Sequence, residues 1–317
     1  MPSIRSRLFT YFLRHRKERP EWDFNTSIPQ FRLECEKTTS LFGKKLPEGV
    51  EVSPVTVDGL PAEWIIPAGA AKDKVIHYCI GGAYVSGSCR DHRKIVSRIA
   101  KGSGVSILLF EHRLAPEHPF PAALDDSVVA YRWLLAKGFS SSNIMIVGES
   151  AGGGLCLATL LALRDQSLPL PAAAVALSPW TDLKQTGESY RTNADTCLAP
   201  KGMAYVCSKY YVGENDPCLP WISPLYGDLH GLPPILIQVG GDEILLDDST
   251  RFAEKAKAAG VDVTLNVGEG MMHCFALMPS FIPECRKAMN EMCTFIKTRG
   301  GRGSGLKNSL ICGGLRR

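Results

Sequence analysis

Residues 144–163 read IMIVGESAGGGLCLATLLAL. Four apolar residues run into Gly148-Glu149-Ser150-Ala151-Gly152, and a second apolar run follows at once. The first run has the length of a buried strand and the second that of a helix. A sharp strand-to-helix turn needs small residues two positions either side of its apex, and Gly148 and Gly152 supply them. Such a turn holds Ser150 up as a nucleophile. It also points a helix N-terminus at it, whose free amides, Ala151 first, stabilise a developing anion. An ordinary glycine-rich turn would carry the same glycines. Gly187-Glu188-Ser189 repeats the tripeptide but lacks the second glycine and the strand, so the rest of the chain has to decide.

Around that stretch a rhythm runs through the sequence. EVSPVTV (51–57) and AEWIIP (62–67) flank Asp58-Gly59, a hairpin signal. KVIHYCI (74–80), VSILLF (105–110), NIMIVG (143–148), AAAVALS (172–178), PILIQVG (234–240) and DVTLNV (262–267) follow. These runs are short, β-branched and mostly apolar on both faces, as the central strands of a covered parallel sheet are. Helix-period segments lie between them at 91–101, 121–137, 151–165, 247–259 and 283–297. The alternation predicts an α/β fold with right-handed crossovers. Residues 1–45 and about 183–215 break it, and are expected to fold together as a helical cap over one end of the sheet. The predicted organisation is a cap segment at 1–45, a catalytic domain at 46–299 with an insertion near 183–215, and a flexible glycine-rich tail at 300–317.

Composition bounds the function. With 317 residues, 45% hydrophobic and 21% charged, the chain builds a large core. A net charge of +4 is too weak to argue for nucleic acid. No apolar run reaches membrane-spanning length. The eleven cysteines contain no C-x-x-C pair, and several, such as Cys79 and Cys156, sit in apolar runs; they read as buried thiols of a reducing compartment, the cytoplasm. In residues 1–20, Arg5, Arg7, Arg14, Arg16, Lys17 and Arg19 alternate with Ile4, Leu8, Phe9, Phe12 and Leu13. That is a basic amphipathic helix. The plainer expectation is that its apolar side packs on the body; the alternatives are a membrane surface or a transit peptide.

A serine nucleophile needs a base and the base an orienting carboxylate. Of the seven histidines, His77 lies inside a strand, His15 in the basic helix, and His92, His112, His118 and His230 in loops or helix starts. His273, in GEGMMHCF, follows the last strand at its carboxyl end, where sites of open α/β sheets form, and is selected by that position. The strand at 234–240 ends in GGDEILLDD, so Asp242 or Glu243 is the acid, in the chain order serine, acid, histidine; Asp247 and Asp248 read as caps of the next helix. After the strand at 74–80, Gly81 and Gly82 offer backbone amides as an oxyanion hole. There is no H-E-x-x-H, no cysteine-histidine metal cluster and no phosphate-binding G-x-x-x-x-G-K-[ST], so no metal or cofactor is expected.

IGGAYVSGS, EHRLAPEHPFPAALDD, VGESAGGGL, LSPWTDL and DEILLDD…AGVDV…GMMHCF together resemble the hormone-sensitive-lipase-like carboxylesterases of the α/β-hydrolases, over about residues 45–297. The closest flavour is the branch of ε-lactone and small-ester hydrolases. The resemblance implies an eight-stranded, mostly parallel sheet with a helical cap, Ser150 as nucleophile and His273 as base. The family's D-x-L-x-D pattern, laid back from Gly260-Val261, puts the acid on Glu243, with Asp242 the second choice. It implies small to medium uncharged esters or lactones as substrates, with Tyr84, Trp180, Met271, Met272 and Phe275 lining the pocket, and pairing of two copies through the last strand and helix. Two departures stand out. The family's H-G-G-G is Ile80-Gly81-Gly82-Ala83, without the histidine that braces the loop, so the hole is looser or braced otherwise. G-D-S-A-G is G-E-S-A-G, with Glu149. His112, which replaces the tyrosine before R-L-A-P-E, reads as structural. Related hormone receptors on this fold lack the histidine, so the presence of His273 argues against a non-catalytic receptor. A membrane-peripheral lipid hydrolase keeps the same chemistry.

Overall fold

A computed structural model describes residues 2–15, 21–41 and 46–299. The predicted tail at 300–317, and residues 1, 16–20 and 42–45 of the predicted cap, lie outside the described residues. In chain order the elements are α1 (Ile4–His15), α2 (Ile28–Leu41), β1 (Val50–Val57), β2 (Leu60–Pro67), β3 (Ala71–Cys79), α3 (Cys89–Ser103), β4 (Val105–Phe110), α4 (Ala122–Ala136), β5 (Ile144–Glu149), α5 (Ala151–Asp165), β6 (Ala173–Leu177), α6 (Ser189–Thr192), α7 (Met203–Val212), β7 (Ile235–Gly240), α8 (Leu246–Ala258), β8 (Val263–Gly268) and α9 (Pro283–Arg299).

The strands form one eight-stranded sheet in the order β1-β2-β4-β3-β5-β6-β7-β8. The β1–β2 hairpin turns at Asp58 and Gly59, both at positive φ, as a primed two-residue turn requires. It joins β4 antiparallel, and from there on the strands are parallel. Alternation along each strand feeds two cores. Val75, Leu108 and Ile146 face α4, α5 and α8 on one side. Ile76, Ile107 and Val147 face α3 and α9 on the other. Burial on both faces explains why these strands read as continuous apolar runs.

Two expectations change. Asp247 and Asp248 do not cap α8, whose start has no side-chain cap. Asp248 accepts the amides of Thr181 and Asp182, both at 2.8 Å, and Asp247 that of Ser189 at 2.9 Å. They tie the 181–189 segment to α8 instead. In α1 the face turned to the body carries Ser6 and Thr10, while Ile4, Leu8, Tyr11 and Phe12 face outward. Phe9 packs against the core on the α3 and α9 side, and polar contacts hold the rest: Ser3 Oγ donates to Glu284 at 2.9 Å, Ser6 Oγ to Met271 Sδ at 3.5 Å, and Arg14 to the Thr196 carbonyl at 3.0 Å. Those partners fix which side faces inward. No described helix is long and apolar enough to cross a membrane.

Candidate active site

At the end of β5 the chain turns through Ser150, with φ 57° and ψ −124°. A non-glycine residue there stores about 1–3 kcal/mol of strain. The surroundings hold it. The Ser150 amide donates to Leu177 O at 2.8 Å, and the Ser150 carbonyl accepts from Gly154 and Trp180, both at 3.0 Å. A Cβ on Gly148 would lie 2.1 Å from the Gly152 carbonyl oxygen, and one on Gly152 2.2 Å from that of Cys79. The glycines are therefore demanded by close backbone approach on both sides of the turn.

His273 lies beyond β8, with its Nδ1 in a short hydrogen bond to Glu243 Oε2. Glu243 is fully buried, and its other oxygen accepts from Ser178 Oγ and from the Gly240 amide, both at 2.6 Å. Ser178 Oγ in turn accepts the Cys274 amide at 2.9 Å. One carboxylate thus fixes both the ring and the loop that carries it. Asp242, the other acid left open by spacing, points away and pairs with Arg14 at 2.7 Å. Burial disfavours the charged ring of His273. The neighbouring Cys274 sulfur and the Glu243 carboxylate outweigh it and hold the imidazole well above its ordinary range.

The loop after β3 departs from expectation at Gly81. Its amide is already committed, donating to Glu149 Oε1 at 2.7 Å, so it is not open to a ligand. The amides of Gly82 and Ala83 make no such bond among the described residues, and stand where Gly81 and Gly82 were expected. Gly82 has φ 120°, and a Cβ there would meet the Ser86 carbonyl oxygen at 2.2 Å. Ala83 and Tyr84 follow at φ 55° and 62°. Three groups brace this strained loop in place of the absent histidine. Glu149 Oε1 also bonds His92 Nε2 of α3, at 2.9 Å. His112 Nε2 lies 3.3 Å from the Ile80 carbonyl, a structural role as expected. Arg32 of α2 donates to the Val85 and Ala115 carbonyls at 2.6 and 2.9 Å, and forks onto Glu117.

Ser150 and His273 open on one cavity of about 460 Å³, lined mostly by apolar groups. A larger hollow of about 890 Å³, between the β1–β2 hairpin and the start of β3, holds neither of them. Of the expected lining residues only Trp180 faces the cavity. Tyr84 is buried behind it, stacked on Tyr211 with ring centroids 3.6 Å apart. Met271, Met272 and Phe275 are buried too. The chain reverses at Cys274, φ 53°, and this turns Phe275 into the core while Cys274, Leu277 and Met278 reach the cavity. Sequence reasoning missed the remaining walls: Ile95 of α3, the segment Cys197–Ala199, Met203 of α7, and Ile244. It also passed over His92, dismissed as a helix-start residue; its signal is the missing loop histidine beside an unusual Glu149. Among the described residues no cluster of three or more histidine, cysteine or acidic side chains could hold a metal ion.

The arrangement pairs a strained hydroxyl, an imidazole held by a buried carboxylate, and free amides at one apolar cavity. Residues 76–277 match the model of a family described as alpha/beta hydrolase fold. An acetyl-hydrolase of Streptomyces hygroscopicus is 38% identical, over 88% of this chain and 93% of its own. An esterase of Acinetobacter venetianus is 36% identical, over 78% of this chain and 82% of its own. The solved structure of an esterase from the bacterial hormone-sensitive lipase family superposes with a TM-score of 0.87 at 41% identity, over 95% of this chain and 100% of that one.

Proposed function

The chain belongs to the α/β-hydrolase family and is a carboxylesterase of the hormone-sensitive lipase type, and from that premise we propose that it cleaves small to medium uncharged esters through Ser150, His273 and Glu243. Ser150 Oγ attacks the ester carbonyl as His273 Nε2 takes its proton. Glu243 holds the ring in the tautomer that leaves Nε2 free and stabilises the imidazolium. The amides of Gly82, Ala83 and Ala151 receive the oxyanion. His273 returns the proton to the departing alcohol. Water then repeats the cycle on the acyl-enzyme and releases the acid.

The observation that carries this reading is the buried Glu243, bonded to His273 at a cavity that Ser150 also lines. The substrate class rests on the cavity itself. About 460 Å³ suits a small ligand. Apart from His273 and the thiols of Cys197 and Cys274, the titratable groups that line it among the described residues are His92 and Glu149, engaged with each other and with Gly81. A charged acyl chain finds no partner there. Hydrolysis of a short p-nitrophenyl ester tests the reading. Ser150→Ala is expected to lower kcat by at least ~10⁴-fold. Equal rates in the two proteins would end it.

A further inference from the structure

The helix at the start of the chain has no part in the chemistry above, and its outward face is unlike an ordinary surface. Ile4 is 74% exposed, Leu8 65%, Tyr11 63% and Phe12 54%. At helical spacing these four occupy one arc of about 100°. Arg5 flanks that arc on one side and Arg7 on the other, both exposed. Beyond Arg5, which donates to its carbonyl at 3.5 Å, Phe281 adds a second exposed ring: it is 56% exposed and meets Phe9 edge-on, with centroids 5.8 Å apart. Of the acids near the helix, Glu284 accepts from Ser3 and Asp242 pairs with Arg14. Residues 1–20 hold six lysines and arginines against one acid, Glu18.

We propose that the outward face of α1 is a docking surface for an anionic lipid bilayer, with Ile4, Leu8, Tyr11 and Phe12 entering the headgroup–acyl boundary between Arg5 and Arg7. Arginine stems lie along such a boundary while their guanidiniums stay with lipid phosphates. Charge decides between a bilayer and a second copy of the chain. A face-to-face pair of these helices would bring arginines against arginines, whereas anionic headgroups neutralise them. The inner face suits the role. Polar bonds from Ser3, Ser6 and Arg14 clamp the helix to the body, and Arg14 grips the carbonyl of Thr196, next to the Cys197–Ala199 wall of the cavity. The bilayer would therefore be held against an element joined directly to the substrate site.

Sedimentation of the full chain with vesicles tests this. The probes are phosphatidylcholine alone and phosphatidylcholine with about 30% phosphatidylglycerol, a surface of the kind that attracts basic segments. Expected is sedimentation with the anionic vesicles, at least ~5-fold weaker with the neutral ones, and falling as salt rises from about 0.05 to about 0.5 M. Arg5→Glu with Arg7→Glu should weaken partition by about 5-fold or more per site. Leu8→Ser with Phe12→Ser should lose at least ~10-fold. Hydrolysis of a soluble ester in free solution serves as the folding control for these variants and should be unchanged. Ser150→Ala should sediment like the wild type, which keeps this result independent of the catalytic reading. No sedimentation, equal partition into both vesicles, indifference to salt, or variants that sediment like the wild type would each overturn the proposal. So would lipid-free self-association that the Leu8 and Phe12 substitutions abolish, since that would assign the face to a second copy.

Discussion

Two carboxylates around Ser150 do different work, and their surroundings say why. Glu243 serves His273. With the imidazole held above its ordinary range, the ring is protonated, and unable to accept the Ser150 proton, up to a higher pH than usual. The acid limb of kcat/KM is therefore expected above ~6.5, the free imidazole value. Glu243→Gln should move that limb down and lower kcat by ~10²–10⁴-fold. Asp242→Asn, which touches only a partly exposed ion pair, should leave the pH–rate profile in place. Glu149 serves the oxyanion loop through Gly81. Burial disfavours charge on His92, but Glu149 prevails and raises it. The groups facing this pair are Ser88 just before α3 and Asp91 within it, Tyr78 and Cys79 at the end of β3, His112, and Cys274 on the His273 loop. Because the brace acts on amides aimed at the oxyanion, its loss should fall on kcat rather than KM. Glu149→Ala is expected to lower kcat by ~10²–10³-fold, the worth of an oxyanion donor. Glu149→Gln, which still accepts from Gly81, should recover much of it. With Glu149 raising it, His92 keeps its charge to a higher pH than a free imidazole, so wild-type kcat should decline as pH rises through its titration, a decline that His92→Gln lacks. An unchanged kcat in Glu149→Ala would leave the loop braced by Arg32 and His112 alone.

Helices and strands were largely legible because periodicity is a local property. Each predicted strand and each of the five predicted helices in the α/β core has its counterpart, with ends shifted by a few residues. Contacts between elements were not legible. Asp247 and Asp248 open a helix in sequence, and a local rule makes them caps; only the folded chain shows the 181–189 segment arriving to claim their oxygens. The same holds for α1, whose apolar stripe was expected to face inward. Asp248 offers a test of this tertiary role. Burial raises its carboxyl well above the ordinary range, and the charge of neighbouring Asp182 adds to that, against the two amides that favour the anion. The sign follows from linkage. Above the unfolded carboxyl pKa of ~3.9 the native protein binds a proton that the unfolded chain has lost, so this site makes stability fall as pH rises towards the folded pKa. Asn at 248 keeps an oxygen for the Thr181 and Asp182 amides and cannot ionise. The melting temperature of Asp248→Asn relative to wild type is therefore expected to increase from about pH 5 to about pH 8. A difference that is flat or falls over that range would show that the carboxyl is ionised in the folded protein.

The proposed catalytic geometry could be read before the cavity because the two obey different constraints. Ser150, Glu243 and His273 stand just past the ends of parallel strands, and a parallel sheet brings those ends together whatever lies between. The cavity walls come from irregular segments, such as Cys197–Ala199 and the reversal at Cys274, which carry no period to read. What joins the two is a core with little slack, and the cysteines report on it. Among the described residues none of the ten is in a disulfide, and seven are buried, as a reading of buried thiols requires. Burial pushes Cys79 and Cys207 up to about 12, and Cys285 and Cys293 up to about 11. The thiolate is the reactive form, so such groups are inert twice over, by access and by protonation. At pH 8 a thiol-specific reagent is expected to modify only a minor share of the eleven cysteines quickly. The partly exposed Cys218 should go first, Cys35 and Cys274, whose thiols burial also raises, more slowly, and the seven buried ones only as the molecule opens. Labelling of Cys274, beside His273, should run in step with loss of esterase activity, and a short-chain ester bound in the cavity should slow both. Fast uniform labelling of Cys79, Cys156 and Cys207 in the native protein would contradict the tight core on which the strained turn at Ser150 depends.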